Sequence, residues 1–149
     1  MRIIWLSQLL LLLCTIEGYA QSLYDIEGRV IATKINENQL NVTGSIFTLQ
    51  NGKLIETFDG QLQEDLGVNY TVPSDNKVEY YNATDVFIGY YVPSEQRYYR
   101  VDRKRGEEEH VALLYEGLVY TLDEKPSFKI DPGFDPKWIG AVLFFFLGY

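Results

Sequence analysis

His110 is the only histidine of this 149-residue chain, so any imidazole chemistry would rest on that one side chain. A serine hydrolase needs its nucleophile on a tight Gly-x-Ser-x-Gly elbow, and no serine here sits in that pattern. Structural or catalytic zinc needs paired His or Cys ligands at short spacing, which one His and the single Cys14 cannot supply. There is no Gly-rich phosphate loop and no dinucleotide fingerprint. The sequence therefore predicts no catalytic residue, no metal ligand and no cofactor.

Carboxylates are plentiful: Asp25, Glu27, Asp59, Glu64, Asp65 and Glu79, then Asp85, Glu107, Glu108, Glu109, Asp131 and Asp135. Two of them facing across a cleft would suit glycoside hydrolysis. Solvated faces account for them more simply, so an acid-pair glycan enzyme ranks third among the functional readings. Asp131 and Asp135 invite a calcium reading, but Pro132 and Pro136 interrupt that loop, and it lacks an alternating acid-and-glycine pattern.

Binding chemistry is better represented. Arg97, Arg100, Arg103, Lys104 and Arg105 form one basic cluster interleaved with Tyr98 and Tyr99. It would suit phosphates, lipid headgroups or acidic glycans. Glu107-Glu108-Glu109 follows at once, and local neutralisation in an exposed hairpin is the favoured reading. Three tyrosine pairs, Tyr80-Tyr81, Tyr90-Tyr91 and Tyr98-Tyr99, fall in segments with strand character. Neighbours on a strand point to opposite faces, so each pair sends one ring inward and one outward. Outward rings would serve a protein or glycan partner, while cross-strand stacking that stiffens the sheet is the favoured account. Asn41, Asn69 and Asn82 each open an Asn-x-Thr triplet, an acceptor for N-glycosylation if the source is eukaryotic.

The elements that must position these residues are short strands. Val, Ile, Thr, Tyr and Phe recur between Gly and Pro punctuation. The strongest local signal is Asn51-Gly52, flanked by Ile46-Phe47-Thr48-Leu49-Gln50 and Lys53-Leu54-Ile55-Glu56-Thr57-Phe58. Asn-Gly accepts positive φ at both turn positions, which predicts a tight hairpin with Leu49 opposite Leu54 and Thr48 opposite Ile55. A strand is expected within 23–33, and others over 68–72, 77–81, 86–92, 96–101, 110–115 and 118–122. Pro73-Ser74-Asp75-Asn76 and Pro93-Ser94-Glu95 are read as turns. The expected fold is all-β, a small antiparallel sandwich or partly closed barrel occupying 21–130.

The chain opens with Met1-Arg2, an apolar run centred on Leu9 to Leu13, and Gly18-Tyr19-Ala20. That is the layout of an export signal over 1–20, with cleavage between Ala20 and Gln21. Cleavage removes Cys14, so the exported domain holds itself together without disulfides, which tilts the reading toward a bacterial envelope. Lipidation at Cys14 is disfavoured because Leu13 precedes it. The formal charge is −8, and loss of Arg2 and Glu17 leaves that balance unchanged. An acidic chain argues against general nucleic-acid binding.

Residues 131–137 form a turn-rich connector in which Asp135-Pro136 is set to cap and start a helix. From Trp138 the chain is apolar to Tyr149, through Phe144, Phe145 and Phe146. The run is shorter than the ~20 residues a spanning helix needs. Segment 138–149 is read as membrane-associated or as the start of a transmembrane helix, in preference to a buried terminal strand, and the membrane is its expected partner.

Two resemblances bear on these readings. Thr48-Leu49-Gln50-Asn51-Gly52-Lys53, Val78-Glu79-Tyr80-Tyr81 and Leu114-Tyr115-Glu116-Gly117-Leu118-Val119-Tyr120 resemble a pattern in exported proteins of Bacteroidota, as does Tyr19-Ala20-Gln21. That resemblance spans 44–122 and implies an envelope location without an activity. Tyr24-Asp25-Ile26-Glu27-Gly28-Arg29-Val30 is similar to the opening of transthyretin-like and carboxypeptidase-regulatory-like sandwiches, including the lumenal domain of a subunit of the endoplasmic-reticulum membrane insertion complex. It implies a β-sandwich anchored by a C-terminal membrane helix. The sequence thus predicts a non-catalytic exported β domain acting as a binding or scaffold module of the cell envelope. The alternative is a lumenal or extracellular domain of a eukaryotic single-pass membrane protein.

Overall fold

The computed structural model describes residues 20–58, 61–62, 68–71, 76–82 and 84–149, with backbone alone for 58, 61–62 and 68–71. Residues 1–19 of the expected export signal (1–20) with Cys14, the acids Asp59, Glu64 and Asp65, and the turn residues Pro73 to Asp75 lie outside the described residues.

Asn51 and Gly52 take φ of 52° and 76°, and the turn they make joins β4 (Ser45–Gln50) to β5 (Lys53–Phe58). Leu49 lies opposite Leu54 and Thr48 opposite Ile55, the register that a tight Asn-Gly turn dictates. The N-terminal part divides differently from the expectation. Instead of one strand within 23–33 there are two, β1 (Ser22–Asp25) and β2 (Val30–Asn36). Gly28 at φ 88° and the Asp25 carboxylate, which accepts from the Arg29 backbone N–H at 2.8 Å, fold the turn between them. β3 (Gln39–Val42) completes this meander.

Beyond the hairpin come β6 (Gln61–Leu62), β7 (Val68–Thr71), β8 (Val78–Tyr81) and β9 (Phe87–Val92). β10 (Arg97–Asp102), β11 (Glu107–Tyr115), β12 (Leu118–Thr121) and β13 (Pro126–Ile130) follow. All of them belong to one antiparallel sheet. β13 returns to pair with β1, setting Leu23 opposite Ile130 and Tyr24 opposite Lys129. β5 pairs with β6 through one half and with β7 through the other, at Lys53–Asn69 and Leu54–Val68. The sheet therefore curls into a partly closed barrel in which β5 is flanked by β4 on one side and by β6 and β7 on the other. Register shifts in β1–β2, β8–β9, β10–β11 and β12–β13 supply the bends that curling needs.

The inner face carries Leu23, Leu40, Val42, Phe47, Leu54, Tyr80, Tyr98, Ala112 and Val119, all buried. What fills it is the C-terminal segment. Asp135 is the N-cap of helix α1 (Pro136–Ala141), accepting from the Lys137 N–H at 2.9 Å, and Pro136 starts the helix, as the sequence predicts. The helix continues as a wider π-type turn over Val142–Leu147 and stops at Gly148, φ 71°.

Trp138 and Phe144, expected at a membrane, are buried on the sheet, and Phe145 and Phe146 join the same cluster. Phe146 meets Phe47 edge-on at 4.4 Å, while Phe144 and Phe145 meet Tyr80 at 5.0 and 6.0 Å. In this structure the segment packs against the chain's own sheet. A run apolar all round needs cover on every side, and the concave face of the curled sheet supplies it within the chain. Each fully buried side chain here, such as Ile139 or Leu143, contributes roughly 1.5–3 kcal/mol. Among the described residues no helix is long and apolar enough to cross a membrane.

Two glycines allow helix and sheet to approach. A Cβ on Gly89 of β9 would stand 2.5 Å from the Tyr99 carbonyl and 2.7 Å from the Phe144 ring. A Cβ on Gly140 of α1 would overlap the Tyr80 hydroxyl.

Candidate binding surface

The tyrosine pairs divide as strand alternation requires. Tyr80 and Tyr98 point inward, donating to the carbonyls of Lys137 and Pro136, each at 2.8 Å. Tyr91 stacks on Tyr98, its cross-strand partner, at 4.5 Å. Their siblings Tyr81, Tyr90 and Tyr99 lie on the opposite face in a row with Phe87 and His110. Ring centroids are 5.4 Å apart for Tyr81–Phe87, 6.2 Å for Phe87–Tyr90, 5.1 Å for Tyr90–Tyr99 and 5.7 Å for Tyr99–His110. The row crosses four strands, β8 to β11. Bulging makes it continuous: Tyr98 pairs with Ala112 and Tyr99 with His110, leaving Val111 as the extra residue.

Each outward tyrosine is held by a carboxylate and attended by a cation. Tyr81 donates to Glu79 at 2.5 Å, which raises the phenol's pKa, and Arg103 opposes that rise. Tyr99 donates to Glu95 at 2.6 Å, which raises its pKa in turn, against the pull of Arg97. Tyr90 is the most buried of the three. Burial, then its 2.9 Å hydrogen bond to Glu108, push its phenol up to about 12. The Lys77 ammonium sits 4.3 Å from the Tyr90 ring centroid. The cross-strand packing expected of the tyrosines is therefore present, and the outward rings lie among charges of both signs.

The basic cluster lies where the sequence puts it, in the exposed hairpin of β10 and β11. Arg100 stands opposite Glu109 across the ladder. Among the described residues the cluster makes one ion pair, Arg105–Asp102 at 3.9 Å. Neutralisation there comes from proximity within the hairpin more than from contact pairs, because Glu108 is committed to Tyr90. Beside this hairpin runs an open groove of about 890 Å³ reaching from Val86, Phe87 and Ile88 to His110. A second groove of about 440 Å³ begins at His110 and extends to Tyr115, Tyr120 and Leu122. The His110 Nε2 lies 3.0 Å from the Ala112 carbonyl oxygen.

Several other residues singled out in the sequence have local structural work. Asp131 accepts from the Ser22 N–H at 2.9 Å and the Tyr24 hydroxyl at 3.0 Å, tying β1 to the end of β13. Asp135 caps α1, so the two acids of the calcium reading serve different partners. No group of three or more potential metal ligands occurs among the described residues. Asn82 accepts from the Thr84 N–H and hydroxyl and from the Val86 N–H, and Asn41 accepts from the Gly44 N–H. Both thus shape turns, whether or not they carry a glycan. Asn69 is a strand residue of β7. At the expected cleavage position Ala20 is exposed, while the Gln21 carbonyl accepts from the Lys34 N–H at 2.8 Å.

Sequence reasoning reached the outward tyrosines but missed Phe87 and His110 as members of their row, and missed both grooves. Pairing of Tyr99 with His110 depends on a bulge that leaves no local signal. No family model matches the chain, and comparisons with curated proteins and with solved structures find no match either.

Proposed function

We propose that this chain is an exported, non-catalytic β domain that works as a binding or scaffold module of the cell envelope, with the outer face of β8–β12 as its recognition surface. The observation that carries the reading is the aromatic row Tyr81–Phe87–Tyr90–Tyr99–His110, set by carboxylates and bordered by two grooves. Rigid aromatic groups with little rotamer entropy to lose, on a sheet braced from behind by a helix, suit recognition. The signal-like start and the resemblance over 44–122 to exported Bacteroidota proteins support the location.

The test is co-sedimentation of the purified chain with envelope material from its host. Retention by that material, reduced when Tyr99→Ala and Tyr115→Ala are combined, is the expected result. Recovery of the chain in the soluble fraction at all envelope concentrations would sink the reading.

A further inference from the structure

The geometry points to a neutral oligosaccharide as the ligand of the paired grooves that meet at His110, an assignment that rests on the binding-module reading above. Charge is the first argument. The larger groove is lined by four cations, Arg100, Arg103, Lys104 and Arg105. Against them stand four carboxylates, Asp102, Glu107, Glu108 and Glu109. The smaller groove sets Arg97 against Glu124. Such lining presents no net field to select an ion, yet it is dense in hydrogen-bond donors and acceptors. Polyhydroxylated, uncharged ligands match that description.

The second argument is the apolar component. Tyr115 and Leu122 are 53% and 54% exposed at the smaller groove, and Phe87 lines the larger one. A pyranose offers an apolar C–H face to such side chains while its hydroxyls reach the charged rim. A protein partner fits less well, because the centres of protein interfaces are depleted of charged residues and the larger groove is rich in them. The third argument is length: two concavities sharing one residue suit a chain of several sugar units better than a single small molecule.

Affinity electrophoresis of the full exported chain tests this, with soluble xyloglucan, galactomannan or mixed-linkage β-glucan cast in the gel and polygalacturonate as the charged comparison. The expected result is retardation by at least one neutral polymer, unchanged when salt is raised. Tyr115→Ala and, separately, Leu122→Ala should each raise the Kd roughly tenfold, about 1.4 kcal/mol. Both residues are exposed, so these variants keep the fold. Retardation by polygalacturonate alone, lost in salt, overturns the assignment, as does equal retardation of wild type and both variants. No retardation by any neutral polymer, with envelope co-sedimentation retained, overturns the oligosaccharide and leaves the binding module standing with a protein partner. Loss of both removes the two readings together.

Discussion

Tyr80 of β8 lies directly over Gly140 of α1, and its hydroxyl donates to the Lys137 carbonyl at 2.8 Å. A methyl at 140 would occupy the space of that hydroxyl. In an open helix Gly→Ala stabilises by about 1 kcal/mol. Here the sign reverses: Gly140→Ala should destabilise by about 1–3 kcal/mol, through overlap in a close-fitting core. The urea midpoint of the variant, compared with wild type at unchanged m, reads this directly. A raised midpoint would show that helix and sheet are not in contact at this point.

Tyr98 makes the companion bond, to the Pro136 carbonyl at 2.8 Å, from a fully buried position. Tyr98→Phe keeps the ring and removes the hydroxyl, and should cost about 1 kcal/mol. Tyr80→Phe should cost a similar amount. The two carbonyls belong to adjacent residues of one helical turn, so the double variant should depart from additivity. A double-mutant cycle in urea gives the coupling, and strict additivity would mean that the two rings hold the helix start independently.

The hairpin at Asn51-Gly52 was readable because its turn chemistry is local: two positive φ values in adjacent residues admit few alternatives. The same holds for Asp135-Pro136, where cap and first residue sit side by side. In-and-out division of the tyrosine pairs followed from strand period alone. What escaped was whatever depends on residues far apart in the chain. β13, with Pro126, Ser127 and Lys129 among its five residues, has little strand signature, and it forms because β1 waits for it at Leu23 and Tyr24. The apolar end of the chain reads the same whether its cover is lipid or a curled sheet, since a hydrophobic run records only that water is excluded. Grooves meeting at His110 need the register of β10 and β11, which a bulge at Val111 sets.

Removing the helix should therefore do more than detach an anchor. A chain ending at Pro136 loses Trp138, Ile139, Val142 and Leu143 from the core and leaves the inner sheet face open to water. The expected outcome is loss of near-UV circular dichroism and of a cooperative urea transition, with dye binding to exposed apolar surface. The chain that retains the helix, by contrast, should unfold cooperatively without detergent. A truncated chain with an unchanged midpoint would return the segment to the role of an independent tail.

Alkaline pH offers a probe of the outward row. Burial and Glu108 raise the Tyr90 phenol to about 12, while an unfolded tyrosine ionises at about 10. The protonated form is the one that donates to Glu108, so the folded state holds its proton more tightly. Stability from this group is fully present below about pH 10. It should fall as pH rises from there toward about 12, where the native phenol also ionises. Tyr90→Phe should flatten that part of the stability profile relative to wild type, since Phe carries no proton to lose. Tyr81 and Tyr99, raised in the same direction by Glu79 and Glu95, leave a residual slope in the variant. Urea midpoints taken across this range, alongside tyrosinate absorbance, separate the contributions. Identical profiles for wild type and Tyr90→Phe would mean that burial and Glu108 together do not raise the Tyr90 phenol in solution.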